Sequence, residues 1–184
     1  MKFSDIERFP NIYYHVDIPI EYIPSTIERY KNEYNLNMNP DFQRDYVWIK
    51  EQKVKYVEYL LKEPTSGLEI YFNHPNWMGS FQGEMVLIDG KQRLSAVLDF
   101  LDNKIKAYGF YCKEFEGNIP FISLSFNIGK LKTRKEILKW YLDFNTGGTY
   151  HTEEEINKVK KLIAEEGSIK WAKLLNFILV NNMI

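Results

Sequence analysis

Residues 85–88 form an unbroken apolar run, Met85-Val86-Leu87-Ile88, which passes through Asp89-Gly90 straight into a helical pattern. Leu94, Val97, Leu98 and Leu101 stand at i, i+3, i+4 and i+7. The run reads as a strand apolar on both faces, which needs cover on both. The pattern after it reads as an amphipathic helix. The junction leaves only two residues for the turn, and it fixes a strand–turn–helix unit at the centre of the chain. Further strands are expected over residues 13–20, 68–72, 105–111 and 121–126. Further helices are expected from Pro24-Ser25-Thr26 with Ile27, Tyr30 and Tyr34 on one face, over 50–62 with Val54, Val57, Leu60 and Leu61, and over 133–142. Asn35 to Pro40 ends the first helix and Asn103 ends the central one. Thr152, with Glu155 three residues on, spells a capping box for the next helix, and a final helix is expected from Ile169 onward. Alternating short strands and helices predict an α+β fold with a small mixed sheet and flanking helices. A break at Gly167-Ser168 suggests one domain over 1–166 and a helical tail over 167–184.

Of 184 residues, 45% are hydrophobic and 27% charged, values that argue against wholesale disorder. Lys plus Arg number 24 and Asp plus Glu 25, a net charge of −1, which disfavours a globally basic nucleic-acid binder while leaving local patches open. The single cysteine, Cys112, allows neither an intrachain disulfide nor a Cys-based zinc site. It lies within the apolar stretch expected to be a buried strand, so a thiol nucleophile is not expected. His15, His74 and His151 lack metal-ligand spacing, and the Walker A, HExxH and G-x-S-x-G patterns are absent. No apolar run approaches the roughly 20 residues that span a bilayer. Residues 1–10 have no signal-peptide h-region, and a cytoplasmic location is expected.

Three segments carry chemistry. The first, Phe42-Gln43-Arg44-Asp45-Tyr46-Val47-Trp48, lies between two helices. Arg44 offers a planar fork for phosphate or carboxylate, and Tyr46 or Trp48 a stacking surface. The bland alternative is an arginine tied to a nearby carboxylate under packed aromatics. The second is Asp89-Gly90-Lys91-Gln92-Arg93-Leu94. Two cations in a first helical turn oppose the helix dipole and leave room for an anion there. Backbone N–H groups, Lys91 and Arg93 would converge on a phosphate, and Asp89 could hold Mg²⁺ or orient a water. Against this stands a plain N-cap aspartate with solvated neighbours. The third, Phe144-Asn145-Thr146-Gly147-Gly148-Thr149, offers backbone that a ligand can approach closely, or an ordinary interhelix loop. A fourth feature is the run 128–139, where Lys130, Lys132, Arg134, Lys135 and Lys139 face Glu136 alone. It is either a nucleic-acid contact or a solvated helix face.

Taken together, these segments resemble the DUF 262 (domain of unknown function) family. Residues 42–48 are similar to its QRxYxW element, residues 89–94 to its DGQQR signature, and residues 144–156 to its lNxGGxxLsxxEi stretch. Lys91 stands where the family usually has the first Gln, and Ser95 where Thr is common. Asp143-Phe144 replaces the Arg that often precedes the third motif's Asn.

The resemblance covers roughly residues 10–160. It implies a ParB/sulfiredoxin-like core and an NTP site like that of the regulatory half of GmrSD-type modification-dependent restriction and anti-phage proteins. Arg44 and Arg93 would clamp phosphates, helped by Lys91 and the Gly90 backbone. Asp89 would position Mg²⁺ or the attacking water, and Gln43 and Gln92 would orient phosphate oxygens or that water. Asn145, Gly147 and Gly148 would border the ligand. Asp89, Gln92 and Arg93 are then the candidate catalytic set of a slow Mg²⁺-dependent NTPase. Two alternatives stay open. One is a non-catalytic regulator that pairs with a separate nuclease subunit. The other is a ParB-like DNA binder or nuclease using Lys130, Lys132, Arg134 and Lys135.

Overall fold

The computed structural model describes residues 1, 2, 5, 14–146 and 152–181. It resolves into two compact units, Asn11–Lys130 and Leu131–Ile184 with Met1–Pro10.

The first unit holds β1 (Tyr14–Pro19), α1 (Ile23–Tyr34), α2 (Lys50–Leu60), β2 (Glu69–Asn73), β3 (Val86–Asp89), α3 (Lys91–Leu101) and β4 (Ser123–Gly129). The sheet order is β1-β4-β2-β3. β1 and β2 run antiparallel to β4 and β3 respectively, while β2 and β4 are parallel. The sheet is therefore mixed and the architecture α+β.

Local chemistry explains the elements. Pro24 sits in the first turn of α1, where a missing N–H costs nothing. Ile23, Thr26, Ile27 and Tyr30 form its buried stripe. Asn35 ends it in the left-handed conformation, φ 50°. The chain then lies along the outer edge of β3. Asn37 donates its N–H to Met85 O at 2.8 Å and accepts from Leu87 N at 3.1 Å. This bridge covers an otherwise open sheet edge. It also delivers the next residues, 39–48, to the end of β3.

β3 is buried on both faces, as its sequence predicts. α3 is also buried on two sides. Leu94 and Val97 join the main core with Ile70, Phe72, Leu87 and Phe126. Ala96 and Phe100 join a second cluster with Val57 of α2, Ile105 and Ala107. Tyr30 lies at the middle of the main core, with ring centroids of Tyr34, Phe72, Trp77 and Phe126 between 5.5 and 6.1 Å away.

Three expectations are corrected. Residues 105–111 are not a strand: a single Ala107–Phe110 bridge closes around Tyr108 (φ 50°) and Gly109 (φ 85°). This is the positive-φ pair of a tight turn, and it reverses the chain before a ladder can grow. Cys112 consequently lies in a single 3-10 turn, Cys112–Glu114, and is half-buried rather than inside a strand. Burial pushes its thiol pKa up.

The second unit holds α4 (Arg134–Thr146) and α5 (Glu153–Asn181). Each begins with a capping box. Thr133 and Glu136 exchange bonds of 2.9 and 3.2 Å, and Thr152 and Glu155 bonds of 3.0 and 3.2 Å. These bonds to Thr133 hold the Glu136 carboxyl below its usual range. The third correction is here: α5 continues through Gly167-Ser168, where the sequence suggested a break. Among the described residues no helix is long and apolar enough to cross a membrane.

Burial raises the phenol of Tyr30 to about 12, against a smaller opposite pull from Arg29. Burial likewise pushes up Tyr56, which donates to Gly67 O at 2.9 Å. Both groups keep their protons longer folded than unfolded. Their stabilisation is complete below about pH 10, the unfolded tyrosine value, and fades as pH rises toward the folded values. Urea melts between pH 9 and 12 should show stability falling across this window. Replacing both Tyr30 and Tyr56 with Phe should flatten the fall.

Candidate functional site

Two of the three sequence motifs meet at the junction of β3 and α3: four hydrogen bonds join them, and two more tie the first to β3. Gln43, only 8% exposed, donates its Nε2 to Leu87 O at 2.7 Å and Ile88 O at 2.9 Å. This fastens the loop to the last turn of β3. Gln92 accepts from the backbone N–H groups of Val47 and Trp48, both at 3.2 Å, and donates to Asp45 O at 3.1 Å. Lys91 donates its ammonium to Arg44 O at 3.0 Å. The carboxamides are chosen by geometry. A glutamine carries donor and acceptor on one planar group, so Gln92 satisfies both polarities of an irregular backbone, whereas Gln43 uses its donor side alone.

Gly90 has φ 92°, a value that L side chains rarely adopt. A Cβ there would also lie 2.5 Å from Ile70 Cδ1 and 3.2 Å from Glu69 O. The glycine is thus explained by packing against β2.

The two first-turn cations are each compensated within the protein. Arg93 Nη2 lies 2.7 Å from Asp89 Oδ2, an i,i+4 pair with the acid on the N-terminal side. Lys91 is 7% exposed and holds its Nζ 4.5 Å from the centroid of the Tyr46 ring. Burial lowers its pKa, opposed by the charge of Asp45. Asp89, Gln92 and Arg93, the expected catalytic set, are therefore contiguous but engaged. Gln43 and Gln92 hold the loop in place through these bonds. Loop backbone needs buried partners more than solvent-facing amides.

Other atoms are left over. Arg44 is half-buried, and its guanidinium makes no hydrogen bond or ion pair among the described residues. Arg93 Nε and Gln43 Oε1 are buried without a partner. Gly90, the N-cap of α3, supplies no side-chain bond to the first-turn N–H groups.

The third motif is only partly in view. Asn145 lies in the last turn of α4, not in a loop, and Gly147 and Gly148 lie outside the described residues. Lys130 closes the first unit; Lys132, Arg134 and Lys135 open the second, with Arg134 Nε 3.3 Å from Glu166. Among the described residues no group of three His, Cys, Asp or Glu side chains could hold a metal ion.

Sequence reasoning passed over one cluster. Lys53 on α2 donates to Ser95 Oγ at 2.8 Å and Asp99 Oδ2 at 2.6 Å on α3. Its sequence signal was the polar i,i+4 pair Ser95/Asp99 beside the apolar face of α3. The cluster lines a groove of about 810 Å³ between α1 and α3.

The architecture is that of an α+β domain whose polar junction is built from a QRxYxW-like loop and a DGKQR turn. The family model described as GmrSD restriction endonuclease, N-terminal domain, matches residues 25–181. The chain belongs to that family. No curated protein and no solved structure matches it.

Replacing Gln92 with Ala strands two backbone donors and one carbonyl. It should cost about 1–3 kcal/mol in urea unfolding and speed amide exchange at Val47 and Trp48. Gly90→Ala should cost more than about 1 kcal/mol. Unchanged unfolding curves would show that the junction tolerates a slack loop.

Proposed function

We propose that this chain is a nucleotide-binding regulatory module of a restriction system, with a ParB/sulfiredoxin-like core and its phosphate site at the head of α3. The observation that carries the reading is Arg44. An unpaired guanidinium stands on a loop whose backbone is bonded to the end of β3 on one side and to Lys91 on the other. The uncapped N–H groups of α3 lie at the same junction and favour an anion. A planar five-donor fork suits phosphate oxygens. The buried Nε of Arg93 adds a donor.

Asp89 balances Arg93 through Oδ2 and makes no hydrogen bond through Oδ1 among the described residues, so that oxygen can serve a water or a metal ion while the ion pair stays intact. A lone carboxylate fits Mg²⁺ only in the manner of a cation that arrives on the triphosphate and keeps phosphate and water ligands. Bound so, Mg²⁺ would screen the phosphate charge. Positioning and charge neutralisation are most of what phosphoryl transfer asks of a protein. Slow hydrolysis is therefore compatible with this set, and Asp89→Asn would abolish it.

A second reading, docking of a separate nuclease subunit, draws on the exposed aromatics Tyr108, Phe110 and Phe115, of which the last two stack edge-to-face at 5.9 Å. DNA contact through exposed Lys132 and Lys135 is a lesser alternative.

Calorimetric titration of the four Mg²⁺-NTPs should show binding to the wild type. Arg44→Ala should weaken it at least tenfold with an unchanged melting temperature. Equal affinity in the variant would refute the phosphate site.

A further inference from the structure

The groove beside α3 is built in a way that the phosphate reading does not require. α1 and α3 form its walls, and Tyr46 and Met38 line it together with Ile27 and Leu98. Its volume of about 810 Å³ lies within the range of small-molecule sites. Tyr46 also ties it to the proposed phosphate end: the ammonium of Lys91 lies 4.5 Å from that ring, and the ammonium of Lys53 5.7 Å.

Inside the groove the polar groups are oriented and incompletely used. The Lys53 side chain is only 15% exposed, and two of its three N–H donors go to Asp99 and Ser95. The third has no hydrogen-bond acceptor among the described residues, its nearest group being the Tyr46 ring. Ser95 Oγ accepts from Lys53, which leaves its own proton to give. Asp99 uses Oδ2 for Lys53, while Oδ1 has only the more exposed Lys104 ammonium, 3.9 Å away and beyond hydrogen-bond length. An ammonium proton, a hydroxyl proton and a carboxylate oxygen thus stand side by side. Lys53 donates to Ser95 Oγ rather than accepting from it, so the arrangement is suited to holding a ligand rather than to general-base activation of Ser95.

We propose that this groove is the nucleoside pocket of the site above, and that Asp99, Ser95 and Lys53 grip the vicinal hydroxyls of a ribose. The proposal rests on the phosphate reading and adds to it a ligand class: ribonucleotides in preference to deoxyribonucleotides. A vicinal diol both donates and accepts, which matches one carboxylate oxygen beside two donors. A 2′-deoxy sugar would leave part of this set unpaired, and that is costly in a half-buried site.

The test titrates the full chain with Mg²⁺ salts of ribonucleoside triphosphates, the matching 2′-deoxy triphosphates and inorganic tripolyphosphate. The wild type should prefer ribo over deoxy by about tenfold, the worth of one well-made hydrogen bond. Asp99→Asn and Ser95→Ala should each erase most of that preference. Neither should alter tripolyphosphate affinity, whereas Arg44→Ala should weaken all three ligands. Ser95→Ala keeps the Lys53–Asp99 pair, so it reads the sugar contact even where Asp99→Asn fails to fold. Equal ribo and deoxy affinities in the wild type would overturn the ribose grip and leave the phosphate site standing. Binding of neither nucleotides nor tripolyphosphate would overturn both.

Discussion

The structure of this domain hangs on two buried carboxamides. Gln43 and Gln92 bond the irregular segment 43–48 to the end of β3 and the first turn of α3. Irregular backbone is costly to hold near a core because each N–H and C=O needs a partner. Here those partners are side chains from the loop itself and from the helix it faces. The result is a stretch that contributes Arg44, Tyr46 and Trp48 to a fixed surface without belonging to any helix or strand. Remove the carboxamides and the surface loses its shape before any ligand is considered.

The same junction resolves an electrostatic problem. Lys91 and Arg93 lie at the positive end of α3, where cations are unfavourable. Asp89 answers Arg93 and the Tyr46 ring answers Lys91, so the helix carries both cations with internal compensation. The position left uncompensated is Arg44. This asymmetry, with engaged residues on the helix and an unengaged one on the loop, is what gives the junction directional chemistry. It also explains why α3 is so firmly held. Its apolar residues are divided between two cores, so the turn at Gly90 is anchored from both sides of the helix.

Much of the fold was legible in order along the chain. The apolar run ending at Ile88, the stripe of α1 and the Thr152/Glu155 capping box are local patterns, and each element forms where its pattern lies. Residues 105–111 failed the same reading. Their composition suits a strand, but Tyr108-Gly109 is a turn, and turns end ladders whatever the flanking propensities. The missed helical continuity at Gly167 has a related cause: one glycine lowers helix stability without ending a long helix.

For the candidate site, residue types and spacing singled out two segments that the fold brings together, because the QRxYxW-like and DGKQR segments keep their chemistry in sequence. They did not reveal roles. Gln43, Gln92 and Lys91 look like ligands when read alone, and their bonds to backbone 44 or more positions away in the chain emerge only in the fold. The Lys53–Ser95–Asp99 cluster joins separate helices: the i,i+4 pair Ser95/Asp99 is visible in sequence, but its Lys53 partner on α2 is not. Sequence alone determined the strand–turn–helix unit, because hydrophobic period and glycine conformation act over a few residues. Only tertiary structure decided which polar groups are spent on the fold and which remain free. Hydrogen-bond satisfaction belongs to the three-dimensional neighbourhood, and that neighbourhood exists only once the sheet edge has drawn residue 37 onto β3.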